Sequence, residues 1–174
     1  CFWALDKALA YARHYSAINW NQSYSEYVND LEKWYNKNIG VTFVRNRRQI
    51  AALLAEETKL MEIVKLIGSD VLPDDQKLVI EIAKVIRVGF LQQNAFHPED
   101  TYVPLEKQLK MMDVILYLYK KCKELVAKNV ALTSVLKAGV FDKVTKMKYD
   151  VANNKLEQFD NYYTMIDEAI ANIK

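Results

Sequence analysis

The sequence is poor in the residues that make turns. Its 174 residues include 4 Gly and 3 Pro, where average usage would give about 12 and about 9. Few turns mean few, long elements, and helices above all. Gly40, Gly68, Gly89 and Gly139 stand too far apart for G-x-G-x-x-G or G-x-x-x-x-G-K-[ST], so the chain holds no phosphate loop. Without neighbouring glycines no nucleophile elbow can be written either, which removes covalent catalysis of that kind. Histidine is equally scarce. His14 and His97 are far apart, with no cysteine or carboxylate at ligand spacing, and a metal site is not expected. Cys1 and Cys122 cannot build a disulfide framework, and Cys122 reads as a small core residue. No apolar run approaches the roughly 20 residues that span a bilayer.

What is present is apolar and balanced in charge. Hydrophobic residues make up 51% of the chain, and 24 Lys and Arg face 22 Asp and Glu, a formal net charge of +2. At this length about 70% of the unfolded surface can be buried, enough for a core without cross-links. Near-neutrality gives no field for nucleic acid or an anionic membrane surface. The cluster of Arg45, Arg47 and Arg48 beside Phe43 is either a contact for phosphates or, as charged residues at a helix start usually are, a solvated face. The chain opens at Cys1 inside an apolar stretch with no polar lead-in, as expected of a piece cut from a longer chain.

Periodicity predicts one all-α domain over residues 1–174, a bundle of about five to six helices with a long C-terminal helix. Residues 1–21 carry apolar side chains without a sustained period and read as a lead-in segment in need of a surface to cover. Ser23 and Glu26 fit a capping box opening a first helix over about 23–38. Ile50, Leu53, Leu54, Leu60, Met61, Val64 and Ile67 form the stripe of a second helix, from Val44 to Ile67, closed by Gly68. Pro73 at a first helical position, with Asp74 and Asp75 behind it, opens a third helix over about 73–92. The stretch 94–103 is the one substantial loop. Pro104 opens a fourth helix whose stripe includes Leu109, Met112, Leu116 and Cys122. A short helix at 133–138 ends at Gly139, and Phe141 to the terminus reads as one helix of about 30 residues. No strand and no repeat is predicted.

Two segments carry candidate chemistry. In Phe90-Leu91-Gln92-Gln93-Asn94-Ala95-Phe96, two adjacent amides and an aromatic ring stand where a helix meets the loop. The amides either cap the helix end or meet a base edge, and Phe96 is either core or a stacking face for adenine. Gly68 to Asp75 is an acidic turn between helices, either simply solvated and capped or a contact for a basic partner.

These segments belong to a wider pattern, made of Phe2-Trp3-Ala4-Leu5-Asp6 with Leu9-Ala10, Arg13-His14-Tyr15-Ser16-Ala17-Ile18-Asn19-Trp20, Ser23-Tyr24-Ser25, Leu91-Gln92-Gln93-Asn94-Ala95-Phe96, Asp100-Thr101-Tyr102 and Glu106-Lys107-Gln108. Across essentially all 174 residues the chain resembles the C-terminal helical domain of the catalytic A (alpha) subunit of V-type and A-type rotary ATPases. It resembles the F-type catalytic beta subunit more distantly, at the acidic turn and at Leu91 to Phe96. Ser16 stands where the family motif usually has proline.

The resemblance implies a parent enzyme that hydrolyses or makes ATP in a hexameric head of alternating A and B subunits, coupled through a central rotor to ion transport. It places the phosphate loop, the catalytic glutamate and the magnesium ligands in an upstream domain. No catalytic or metal-binding residue is therefore expected in this chain, and the fragment alone should be inactive. What it maps here is the adenine side of the ATP or ADP site, with Phe96 as the stacking ring and Gln92 and Gln93 facing the base. Asp70, Leu72, Asp74 and Asp75 map to the turn that faces the rotor, and residues 1–21 would pack on the upstream domain. The implied location is the cytoplasmic face, peripheral to the membrane, with B subunits and rotor stalk as partners and no nucleic acid. The competing reading is a freestanding helical interaction module without nucleotide chemistry.

Overall fold

The computed structural model describes residues 1–173, and helices dominate it. Among the described residues there are nine α-helices, and extended pairing is confined to two isolated bridges. The five longest helices are α3 (Phe43–Ile67), α4 (Asp74–Ile86), α6 (Leu105–Ala127), α8 (Val140–Asp150) and α9 (Asp160–Ala171). The shorter ones are α1 (Lys7–Tyr11), α2 (Glu32–Asn38), α5 (Pro98–Thr101) and α7 (Leu132–Lys137). The all-α bundle expected from the stripes is the fold.

Helix α4 is the centre of the bundle and packs on α3, α6 and α8. Its Leu78, Val79, Ile82, Ala83, Val85 and Ile86 are all buried, in one core with Leu53 and Leu54 of α3, Ile115 and Leu118 of α6 and Val144 and Met147 of α8. Burial of such side chains contributes about 1.5–3 kcal/mol each and holds the helices at fixed angles. Gly68 ends α3 with φ 85°, and its N–H donates to the Val64 carbonyl, a conformation that costs glycine nothing. Pro73 sits one position outside α4, as its N-cap, with Asp74 and Asp75 in the first turn. Past Ile86 the helix widens into a π-turn, Arg87–Leu91, closed by a bond from the Gln92 N–H to the Arg87 carbonyl at 2.8 Å.

Three expectations are corrected. The predicted 30-residue terminal helix is two helices: Val151 turns extended after α8, and a 3₁₀ turn at Leu156–Phe159 leads into α9. Asn153 is the cause, since its backbone and side chain bond to Glu99 and Tyr102 instead of continuing a helix. The predicted first helix over 23–38 is also divided, into a 3₁₀ turn at Glu26–Val28 and α2. Tyr24 pairs antiparallel with Phe2, and the Ser23 hydroxyl accepts the Ala4 N–H, which leaves Ser25 to cap the turn. Lastly, the α3 stripe stops feeding the core at Leu60. Its final two turns run beyond the bundle and expose Ile63, Leu66 and Ile67.

Candidate functional site

The loop after the π-turn is short and heavily bonded. The Asn94 side-chain oxygen accepts the Phe96 N–H at 3.0 Å, turning the chain locally. The Thr101 hydroxyl, at the end of α5, lies 2.8 Å from the Ala95 carbonyl and donates to it. His97 caps α5 by accepting the Glu99 N–H on Nδ1. Phe96 stands at the apex of this braced loop with 98% of its surface exposed. The backbone beneath the ring is fixed, so the ring has lost conformational freedom and gained no burial.

The two glutamines part company. Gln93 turns inward: its backbone N–H donates to the Tyr15 carbonyl at 2.6 Å, and its side-chain Nε2 donates to the carbonyls of Asp100 and Thr101 at 2.9 and 3.2 Å. Its amide nitrogen is thereby spent on bracing the loop, which removes it as a donor to a base. Gln92 is fixed through its backbone alone, its N–H bonded to Arg87 and its carbonyl to Lys148. A recess of about 200 Å³ lies behind the loop, lined by Phe90, Leu91, Gln93, Asp100 and Gln108 among others, and Phe96 is not part of its wall. The expected adenine pocket is in this structure one open face.

Two lysines build the floor beneath this face, Lys107 of the Glu106-Lys107-Gln108 motif and Lys148, which no motif marks. Lys148 and Asp100 are buried, with Nζ 3.2 Å from Oδ2. Lys107 is also buried and donates from Nζ to the carbonyls of Lys148 and Val151 at 2.9 and 2.7 Å and to the Asn153 side chain at 2.8 Å. Burial lowers the Lys107 ammonium below the usual lysine range, and the charges of Glu99 and Asp100 partly restore it. The signal available in sequence was weak, because both lysines fall at ordinary helical positions and only their burial gives them a role.

The lead-in segment is tied to the same region. His14, buried against Trp20, places Nε2 3.0 Å from the Arg87 carbonyl at the start of the π-turn. The Tyr15–Ser16 peptide that follows is cis. Arg87 forms an ion pair with the buried Glu57 of α3. Phe2, Trp3, Leu5 and Tyr15 of this segment are exposed, with Phe2 stacked on Tyr24 at 5.8 Å.

At the acidic turn the four expected contact residues separate. Asp70 and Asp75 are exposed, and the Lys77 ammonium donates to the Asp70 carbonyl at 3.3 Å. Asp74 uses its carboxylate internally, accepting the Leu132 N–H at 2.8 Å. Leu72 is only 6% exposed and packs inward, so its place in a surface contact is withdrawn. Val71 is exposed beside it, as are Leu66 and Ile67 of α3. Among the described residues no three His, Cys, Asp or Glu side chains come together as a metal site, and no helix is long and apolar enough to cross a membrane.

Comparison with known proteins agrees with the resemblance. Residues 32–135 match the model of the family described as the C-terminal domain of V and A type ATP synthase. The V-type ATP synthase alpha chain of Halothermothrix orenii is 46% identical over 168 residues, covering 97% of this chain and 28% of the relative. The V-type ATP synthase alpha chain 2 of Clostridium tetani is 45% identical over 96% of this chain and 29% of its own length. The V-type ATP synthase alpha chain of Thermoanaerobacter is 43% identical over 97% of this chain and 28% of its own length. The chain thus spans a little over a quarter of the proteins it matches. It belongs to the family of C-terminal domains of V- and A-type ATP synthases.

Proposed function

We propose that this domain is the adenine-facing lever of a catalytic subunit that couples ATP hydrolysis or synthesis to ion transport by rotation. The observation that carries the reading is Phe96, an almost wholly exposed ring on a loop braced from both sides. Such a ring offers a base its face at little further entropic cost, gaining dispersion and apolar burial. Gln92, whose side-chain amide has no partner among the described residues, supplies the donor and acceptor for the base edge. Gln93 braces the loop from behind. ATP or ADP phosphates and their magnesium would be held by the upstream domain, which supplies charge stabilisation there.

Nucleotide held at both ends bridges two rigid bodies, so occupancy favours closure between them. On closure the bundle moves as a unit, because α4 connects the π-turn at one end to the acidic turn at the other. The exposed Leu66, Ile67 and Val71, with the exposed Asp70 and Asp75 of the same turn, are the face offered to the central rotor. Contact there is chiefly steric, since exposed charge pairs contribute only about 0–1 kcal/mol. B subunits flank the domain in the head, which sits at the cytoplasmic side of the membrane sector.

The test is Phe96→Ala in the assembled complex. Loss of a stacking partner worth roughly 1 kcal/mol weakens apparent ATP affinity about five-fold. Unchanged affinity would reject the base site and leave a helical interaction domain only.

A further inference from the structure

We propose that Lys148 and Asp100 form a positioning pair for the base site, a buried ammonium–carboxylate unit that sets the course of the backbone around Gln93 and so the directions of Gln92 and Phe96. The inference rests on the base-site reading of that loop and names residues that reading does not use.

The pair grips the loop on both sides of Gln93. Lys148 Nζ donates to the Gln92 carbonyl, and Asp100 Oδ2 accepts the Asn94 N–H at 2.7 Å. Nζ and Oδ2 are 3.2 Å apart, with side chains 1% and 4% exposed. Ammonium and carboxylate are thus each bonded to the other and to one peptide group of the segment that carries the proposed ligands. The Gln93 side chain closes the same loop from behind by donating to the Asp100 and Thr101 carbonyls.

The support beneath the pair is rigid. Lys148 projects from α8, which meets the π-turn backbone to backbone: a Cβ on Gly89 would lie 3.0 Å from Thr145 Cα. Lys107 of α6 fastens the last carbonyls of α8, including that of Lys148 itself. It also donates to the Glu99 carbonyl at 3.3 Å, one residue before Asp100. Lys148 is therefore held by elements of the core, and Asp100 is tied to the same core through the bond from Lys107 to the Glu99 carbonyl.

Stability alone does not account for an ion pair at this place. Desolvation of two charges is costly, and apolar replacements of similar volume are often neutral or stabilising. What the charged pair supplies and an apolar pair cannot is direction, since each bond to a backbone group holds only within a narrow angle. A base site requires its ring and amide to be fixed in advance, and that is where the direction is used.

The experiment compares Lys148→Met/Asp100→Leu, Lys148→Met/Asp100→Asn and Phe96→Ala in the assembled ATPase, reading KM and kcat for ATP together with the melting temperature. The first double variant is expected to keep the parental melting temperature while KM rises about five-fold, as for Phe96→Ala, with kcat changing by less than KM. If it folds with the parental KM, the positioning role is overturned. If that double variant does not assemble, Lys148→Met/Asp100→Asn decides, because it removes the donor to the Gln92 carbonyl without leaving a buried charge unpaired; a parental KM there also overturns it. Phe96→Ala separates the two readings. Raised KM in Phe96→Ala alone removes the positioning pair only, whereas unchanged KM in Phe96→Ala removes the base site and the pair's role with it.

Discussion

The Asp74 carboxylate caps a helix 58 positions away, accepting the Leu132 N–H at 2.8 Å. Asp75, next in sequence and equal in charge, has no such partner among the described residues. The two aspartates of the acidic turn therefore have different work. Asp74→Ala leaves the first turn of α7 uncapped, a loss of about 1 kcal/mol, and lowers the melting temperature by about 2–4 °C. Asp75→Ala leaves it unchanged. Equal effects in thermal denaturation would contradict the assignment.

Rotation should depend on neither charge. Asp75→Asn in the assembled motor is expected to turn with parental torque, because the proposed contact is steric and carried by Leu66, Ile67 and Val71. Leu66→Asp, which places a charge in that apolar face, is expected to lower torque with ATP affinity preserved. Single-molecule rotation gives the comparison, and a large torque loss in Asp75→Asn would refute the steric view.

Gly89 and Gly40 differ in what surrounds them. A Cβ at Gly89 meets the Thr145 backbone at 3.0 Å, which cannot move without shifting α8. At Gly40 the near neighbour is the end of the Leu109 side chain, which can rotate away. Gly89→Ala is expected to cost about 1–3 kcal/mol and Gly40→Ala clearly less. Chemical denaturation measures both, and a reversed order would show that the π-turn does not sit against α8.

Burial pushes the Cys122 thiol up to about 12, whereas Cys1 is exposed. The thiolate is the reactive form, so at pH 8 a disulfide reagent should modify one thiol per native chain, and two after denaturation. Rapid modification of both in the native protein would mean that α6 is not packed as described.

Asp113 shows the same effect of burial on a carboxyl. Desolvation raises its carboxyl above the usual range, although Asn46, bonded at 2.6 Å, and the charges of Lys110 and Arg45 favour the ionised form. A raised carboxyl stabilises the fold most below its unfolded value and loses that contribution as pH rises through the folded value. Asp113→Asn keeps an acceptor for Asn46 without the charge. It is expected to raise the melting temperature at pH 7.5, by a margin that disappears near pH 4. A margin independent of pH would contradict the cause given.

The long stripes were legible because nothing interrupts them. Gly68, Pro73 and Gly139 marked their ends to within a residue. Prediction stopped where distant partners outweigh local preference. Asn153 leaves the helical path for Glu99 and Tyr102, and Tyr24 leaves it for Phe2. Phe96 and Gln92 were singled out through family likeness, but the inward turn of Gln93 depends on carbonyls of Asp100 and Thr101 that no spacing reveals. Lys148 was illegible for the same reason, and Lys107 entered only as a member of the Glu106-Lys107-Gln108 motif without a role, since a lysine's burial is a property of the assembled fold.

The most direct test of the base site is photolabelling of the assembled enzyme with 2-azido-ATP, followed by mapping of the adduct. Cleavage after Arg87 and Lys107 releases residues 88–107 as one tryptic peptide. The account predicts that this peptide carries the label, that excess ATP suppresses it, and that Phe96→Ala reduces it. Labelling confined to peptides outside residues 88–107, with ATP protection intact, would contradict it.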